Sequence, residues 1–456
     1  MIEKYYNGVI EQVAGGIGNV EHNSILVRYS NDFSIWDLES VNHYKDQTDI
    51  FFTCHEFSYN KIAEAYEPYL GLIRQMFHKY CSGTLEEFME ECDVYKLQRP
   101  VFESYFEKGF CERTEQILID EVEYEQERMR NSIVTMLQKL SEIRPVVIVL
   151  NRFQLASKST MQLSNSLLQV KNKNIGIVLG VNDVQSIPEF AHEEWDAICE
   201  SMDDRNMVYH IGNAGRNMEP DVMDYYSDYE SDDGYRKLNN LVYFLDFDQA
   251  DHHLSKIERR IKFDNFTISE KKHYQLLLLQ IMVSVLQRDI AKALESCEDL
   301  EKLQDQEKEG AFYYNFWMAT SYMYLGKLEE AMIYVQKAKE CGEALGDDFL
   351  VFRAELLKAQ NQMSGWCNIF FCAQDIEISD KLIEKLNAYH YKNHLAHIYI
   401  YAYDNKPEIV AKAYRSEAFL IYFSKGVALA KEIGNEQLIS IAYRKNIMIA
   451  STNGEY

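Results

Sequence analysis

Apolar positions in the first half of the chain fall into short continuous runs: SILVR (24–28), DIFFTC (49–54), VVIVL (146–150), IGIVLGV (175–181) and MVYHI (207–211). Uninterrupted apolar segments of this length, separated by helical stretches, predict the strands of a parallel sheet covered on both faces. Between the second and third runs, residues 62–143 predict a long helical insertion, with heptad-like apolar spacing in ILIDEVEYEQERMRNSIVTMLQKL. From about residue 241 to the end the spacing is helical throughout.

The helical half is partly self-similar. YYNFWMATSYMYLGKLEEAMIYVQKAKE (313–340) is close to the tetratricopeptide consensus, with Ala319, Tyr322, Gly326, Ala331 and Ala338 where small or aromatic residues let two antiparallel helices approach. Aligning Gly326 with Arg288 and Ala331 with Ala293 makes LQRDIAKALESCEDL a weaker preceding repeat. KAKECGEALGDD (337–348) echoes KGVALAKEIGNE (425–436), so stacked helix pairs with degenerate units between them are expected. The last segment, EQLISIAYRKNIMIASTNGEY, supplies one helix of a pair and a turn at Asn453-Gly454. Ile439, Ala442 and Ile449 are then expected to lack their usual cover, as in a fragment of a longer protein or a chain that ends against a partner.

Composition narrows the class. A chain of 456 residues suits two or three domains, and 47% hydrophobic with 26% charged residues excludes wholesale disorder. Six prolines and twenty glycines against thirty-two tyrosines favour long helices over a turn-rich β architecture. A formal charge of −25 with no offsetting basic cluster repels phosphate backbones, so no nucleic acid is expected as a partner. The charged start, MIEKYYNGVIEQ, is unlike a signal peptide, and the longest apolar run (276–286) is too short to span a bilayer. No membrane association and a cytoplasmic location are expected. The nine cysteines include no Cys-x-x-Cys pair and are read as reduced. The block EPDVMDYYSDYESDDG (219–234) has seven acids and no base; it predicts a solvated linker over 216–240, and its offsets do not make an EF-hand.

The chemistry of a P-loop ATPase needs a glycine-rich loop that wraps phosphates, a Lys that neutralises them, and a Ser/Thr with a strand-end Asp for magnesium. Placed after the first strand, that loop would set Ser34, Ile35 and Trp36 at its end, with Ile35 at the Lys position and Trp36 at the Ser/Thr position. There is no glycine between Asn19 and Leu70. AGGIGNVEHN (14–23) has glycines, but Asn19 and Val20 stand in place of Lys and Ser/Thr, and a turn between a helix and the first strand is the better reading. The third strand ends in Asn151 and Arg152 rather than acids.

RPVVIVLNRFQLASKSTMQLSNSLLQ resembles the second nucleotide motif of the STAND regulatory ATPases, the group that includes the maltose-regulator type of bacterial activator, matching it at Gln154, Ala156, Ser159 and Leu163. IGIVLGVND is similar to the sensor strand of that group, with Asn182 in place of its frequent arginine, and FFTCHEFSYNKIAEAYEPYLGLIRQMF resembles the segment after its phosphate-loop helix. The resemblance covers about residues 1–215. SGWCNIFF, YKNHLAHIYIYAYDN and AYRKNIMIASTNG resemble helical repeats that precede diguanylate cyclase or helix-turn-helix outputs; neither output is in the sequence, so such an output is implied by resemblance only.

Other groups are weighed in the same way. His390, His394 and His397 fall near one helical face, where i, i+4 spacing could suggest zinc, but no acid or Cys sits at a matching offset. Tyr313, Tyr314, Trp317 and Tyr322 are candidates for a binding surface on the repeats, against the alternative that they form the packing core of their repeat. The expectation is a degenerate P-loop-NTPase-like α/β domain (1–215), an acidic linker (216–240) and an all-α tetratricopeptide-like solenoid (241–456). Such a chain is a regulatory protein with no catalytic residue, no metal and no cofactor, though Asn151 and Arg152 leave room for weak nucleotide binding. The repeats would take a protein partner or a small-molecule signal, with a homo-oligomer left open. The alternatives are the sensory half of a diguanylate cyclase and a weak ATPase of STAND type.

Overall fold

The structure, a computed structural model, describes residues 2–19, 23–30, 34–45, 49–58, 61–113, 115–182, 187–205, 207–211, 231–264, 266–364, 380–401 and 417–453. Most of the acidic block, most of SGWCNIFF, Asp183 and the last three residues therefore lie outside the described residues. The chain divides into two compact units. The first comprises Met1–Val94, Gln98–Glu112 and Glu125–Ile257; the second comprises Tyr95–Leu97, Arg113–Tyr124 and Glu258–Tyr456.

The first unit is built on a five-stranded sheet of β1 (Asn23–Tyr29), β2 (Phe51–Glu56), β3 (Val146–Asn151), β4 (Ile175–Asn182) and β5 (Val208–Ile211). Every pairing is parallel and the order is β2-β3-β4-β1-β5. All residues of β3 and β4 are buried, which is why their sequences are apolar without alternation. The edge strands are less covered: β2 is half-buried along its length, and β5 exposes Tyr209 and His210.

One face of the sheet packs on the helix Ile2–Gly16, whose Tyr6, Ile10 and Val13 are buried with Ile25, Val27 and Tyr29 of β1 and Val147 and Val149 of β3. The glycines of AGGIGN lie at the end of this helix and in the turn that leads toward β1, with Gly18 at φ +83°. Gly180 in β4 is required by this packing. A Cβ there would collide with the Tyr6 hydroxyl and come within 2.7 Å of Asn151 Oδ1.

The expected insertion over 62–143 is four helices, Tyr69–Tyr80, Leu85–Glu91, Arg99–Lys108 and Val122–Ile143, interrupted by a non-helical stretch that belongs to the second unit. The expected boundary at 215 and linker to 240 also differ from the structure. Helix Asp232–Tyr243 is integral to the first unit, because Arg236 pairs with Glu64 at 3.0 Å, Asn239 Nδ2 donates to the Cys111 carbonyl at 2.9 Å, and the Cys111 N–H donates to Asn240 Oδ1 at 3.0 Å. Groups so tied cannot serve as a free linker.

The second unit is helical. Glu270–Leu286, Ile290–Glu301, Gly310–Tyr324, Leu328–Leu345 and Asp348–Ser364 follow one another around a core of Phe312, Phe316, Ala319, Ala331 and Ala338. Asp380–Ala388, Lys392–Tyr401, Glu417–Ile433 and Glu436–Asn453 form two further clusters. The turns share one device. Arg288, Gly326, Gly346, His390 and Gly434 all adopt positive φ, between 60° and 76°, and the next residue donates its N–H back to the carbonyl five positions earlier, as in Lys327 to Tyr322 and Asp289 to Ser284. The registers Arg288 with Gly326 and Gly346 with Gly434 thus superpose identical backbone turns. Ala442, expected to lack cover, is buried beside Phe423, Ala430 and Leu438, because the preceding helix supplies that cover; Tyr443 and Ile447 are exposed. Among the described residues no helix is long and apolar enough to cross a membrane.

Gly180→Ala is expected to destabilise the first unit by about 1–3 kcal/mol through overpacking, and Tyr6→Phe in the same chain should recover part of the loss. Thermal unfolding of the three variants measures both.

Candidate functional site

Open parallel sheets bind ligands outside the carboxyl ends of their strands, where successive connections leave in opposite directions. Here β1 connects toward β2 at one edge and β4 toward β5 at the other, so the crevice lies between the ends of β1 and β4. The described groups around it are Tyr29, Ser34, Ile35, Glu56, Asn151, Arg152 and Asn182.

The middle of this crevice is filled by the chain itself. Tyr29 ends β1 and reaches past β4 to donate its hydroxyl to Asn151 Oδ1 at the end of β3, at 2.7 Å, a span opened by the missing side chain at Gly180. Tyr6 stands edge-on to Tyr29, with ring centroids 6.5 Å apart. Burial pushes the Tyr6 phenol well above its ordinary range, and the neighbouring Tyr29 and Glu56 push it further. Asn151 is fully buried, and its Nδ2 has no hydrogen-bond partner among the described residues.

Beside this plug, Glu56 ends β2. Its Oε2 accepts from the Ile35 N–H at 3.0 Å and the Ser34 hydroxyl at 3.4 Å, while its Oε1 lies 3.1 Å from the Arg152 guanidinium. Ser34 also caps the short turn Ile35–Asp37 by accepting the Trp36 N–H. Ile35 is fully buried, whereas Trp36 is exposed with Lys45 over its ring. Arg152 is held in left-handed backbone geometry at φ 53°, which turns the chain out of β3. Gln154 Oε1 accepts the Asn182 N–H at 3.2 Å, tying the exit of β3 to the end of β4. The structure therefore brings Ser34, Ile35, Arg152 and Glu56 together, leaves Trp36 outside, and places Asn151 and Asn182 in separate buried bonds. Next to Glu56, burial lowers the His55 imidazole to about 4 and raises the Cys54 thiol to about 11.

The motif that carries the sequence resemblance is accounted for by packing. Gln154, Ala156, Ser159 and Leu163 are all buried, and Ser159 Oγ accepts the Tyr66 N–H at 3.1 Å. Glu56, Tyr6 and Tyr29 were not singled out in the sequence. A charged residue closing an apolar strand was the available signal for Glu56, whereas nothing local marks the two tyrosines.

In the second unit, Trp317 is buried in the helical core and Tyr313, Tyr314 and Tyr322 pack partly buried against it. Tyr322 stacks on Tyr334, and Arg353 lies 5.5 Å from the Tyr313 ring centroid. These aromatics serve the packing of their own helices, which is the alternative weighed in the sequence.

The histidines meet acids far away in the chain. His394 Nδ1 lies 2.8 Å from Glu115 Oε1, and the His394 N–H donates to the same oxygen at 3.0 Å. His397 Nε2 lies 2.8 Å from Glu121 Oε1, which also accepts from Asn435 Nδ2 at 2.9 Å, while Glu121 Oε2 accepts from Asn393 Nδ2 at 2.7 Å. His390 instead forms a left-handed turn. His394 and His397 thus serve separate carboxylates, and among the described residues no three His, Cys, Asp or Glu side chains converge as a metal site.

Burial alone would raise the Glu121 carboxyl, but His397, Asn435 and Asn393 outweigh it and hold the group down to about 2. A folded pKa below the unfolded value contributes stability that is fully present above roughly pH 4.5 and is lost as pH falls from there through about 2, with an upper bound near ~3 kcal/mol. The stability gap between the wild type and Glu121→Gln should close as pH falls over that acid window, as read by urea unfolding. The chain matches no protein-family model and no curated protein.

Proposed function

We propose that this chain is a regulatory protein in which a degenerate P-loop-NTPase-like domain of STAND type, unable to hydrolyse nucleotide, is joined to a tetratricopeptide-like array that binds a protein or small-molecule signal. One observation carries the reading. The Glu56 carboxylate takes a backbone N–H and a hydroxyl after β1, donors of the kind a P-loop offers to a phosphate, and pairs with the Arg152 guanidinium that stands at the end of β3 where such an ATPase needs an acid. An internal anion at that place competes with an external one, and Ile35 and Asn151 stand where a charge-neutralising Lys and a metal-binding acid would be needed. The recurring left-handed turn and the small buried Ala319, Ala331 and Ala338 support the reading of the helical unit as stacked pairs. Signalling then takes the form of a population shift between two packings of the same chain, biased by whatever the array binds.

A weak ATPase is the competing reading, and the orphaned Asn151 Nδ2 is the observation in its favour, since a buried donor without an acceptor can receive a phosphate oxygen. Calorimetric titration separates the two. The wild type is expected to show no magnesium-dependent turnover and no ATP binding below millimolar, whereas Glu56→Ala, which removes the internal anion beside Arg152 and the Ile35 N–H, should bind pyrophosphate at least tenfold more tightly than the wild type. Micromolar ATP affinity with turnover in the wild type would replace the regulatory reading with the enzymatic one.

A further inference from the structure

Residues Arg113–Tyr124 belong to the helical unit, although the chain on both sides of them belongs to the sheet unit. Among its described residues the stretch has no helix or strand before the short turn Ile119–Glu121, and the side chains Gln116 to Leu118 are only partly buried. Ile119 is buried and the Tyr124 hydroxyl donates to the Gly434 carbonyl and accepts the Glu436 N–H, but the buried charges that hold the stretch are two carboxylates six positions apart. Glu115 is taken by the first turn of helix Lys392–Tyr401, through the His394 backbone N–H and ring. Glu121 is taken by Asn393, His397 and Asn435. Gln437 Nε2 adds a bond to the Asp120 carbonyl at 3.2 Å.

Two of the receiving groups, Asn435 and Asn393, also have partners outside the strap. Asn435 caps helix Glu436–Asn453 by accepting the Leu438 N–H at 2.8 Å, and its Nδ2 also donates to Asn393 Oδ1 at 2.8 Å. Both amides are thereby aimed by the helical unit itself. With the strap seated, Asn393, His394 and Asn435 are buried, and their donors are met by its two carboxylates. Their geometry suits carboxylates arriving on an extended chain, with the positive end of a helix beneath one of them.

We propose that the helical unit carries a receptor for an extended acidic peptide, two carboxylate side chains about six residues apart, and that residues 113–124 occupy it in cis as an autoinhibitory strap. A partner protein presenting such a peptide competes with the strap for Asn393, His394, His397 and Asn435. The inference is independent of the nucleotide reading of the sheet unit, and neither of its readouts involves nucleotide.

The test uses the full chain and a fluorescein-labelled peptide of residues 112–124. Glu115→Gln with Glu121→Gln weakens the cis strap, and fluorescence anisotropy should then show the natural peptide binding at least tenfold more tightly than to the wild type. Adding Asn393→Ala should remove that gain, and a peptide with Gln at both acidic positions should not bind. Equal affinity for wild type and double variant, with the variant's circular dichroism and cooperative melt intact, would overturn the proposal. Should the variant not fold, hydrogen exchange on the wild type decides. A large excess of the natural peptide is expected to speed exchange of the 115–121 amides as the strap is displaced, and unchanged exchange there would overturn the proposal. Exchange of straps between two copies would instead give dimers by light scattering with no response to free peptide, which also refutes a peptide receptor.

Discussion

A carboxylate taken out of water must find donors, and the most informative contacts in this protein are the places where three of them do. Glu56, Glu115 and Glu121 are all largely buried, and each is matched by donors from sequence-distant segments. Removing one partner of such a set leaves a charge or several donors unpaired, which costs far more than the contact itself contributes. The surrounding backbone is therefore committed: the turn after β1 to the end of β2, and the strap to helices Lys392–Tyr401 and Glu436–Asn453.

The same constraint explains the chemistry of the crevice. An open parallel sheet presents its strand ends as a binding place, yet here Tyr6, Tyr29 and Asn151 fill the space over Gly180 while Glu56 neutralises Arg152. The chain supplies its own anion and its own plug. The proposed regulatory role rests on this arrangement, because phosphoryl transfer depends on donors available to follow charge as it develops on the substrate. The strap applies the same principle in the helical unit, where the cap residue Asn435, Asn393 and two imidazoles receive side chains of the chain itself.

The fold was legible where burial is uniform. All five strands lie where apolar runs occur, because β3 and β4 are covered on both faces and admit no polar alternation. Gly326, Gly346 and Gly434 also announced their turns, since glycine enters left-handed backbone without a Cβ penalty. Arg288 and His390 occupy the same backbone state without that signal, and only the alignment of Arg288 with Gly326 pointed to the first of them. The domain boundary was misplaced because an acidic stretch looks like a linker from composition, whereas the helix that follows it is fixed by Glu64 and Cys111, more than a hundred residues away.

The sequence by itself determined the local states: which segments are strands and which are helices. Those follow from hydrophobic period, propensity and residue identity, all of which are properties of neighbours in the chain. Tertiary structure alone decided the order of the strands, the burial of Glu56 against Arg152, and the seating of Glu115 and Glu121 on His394 and His397, nearly three hundred residues further along. Pairings of that kind are fixed by the need to satisfy a buried charge wherever the fold brings a donor, and no spacing in the sequence encodes that distance.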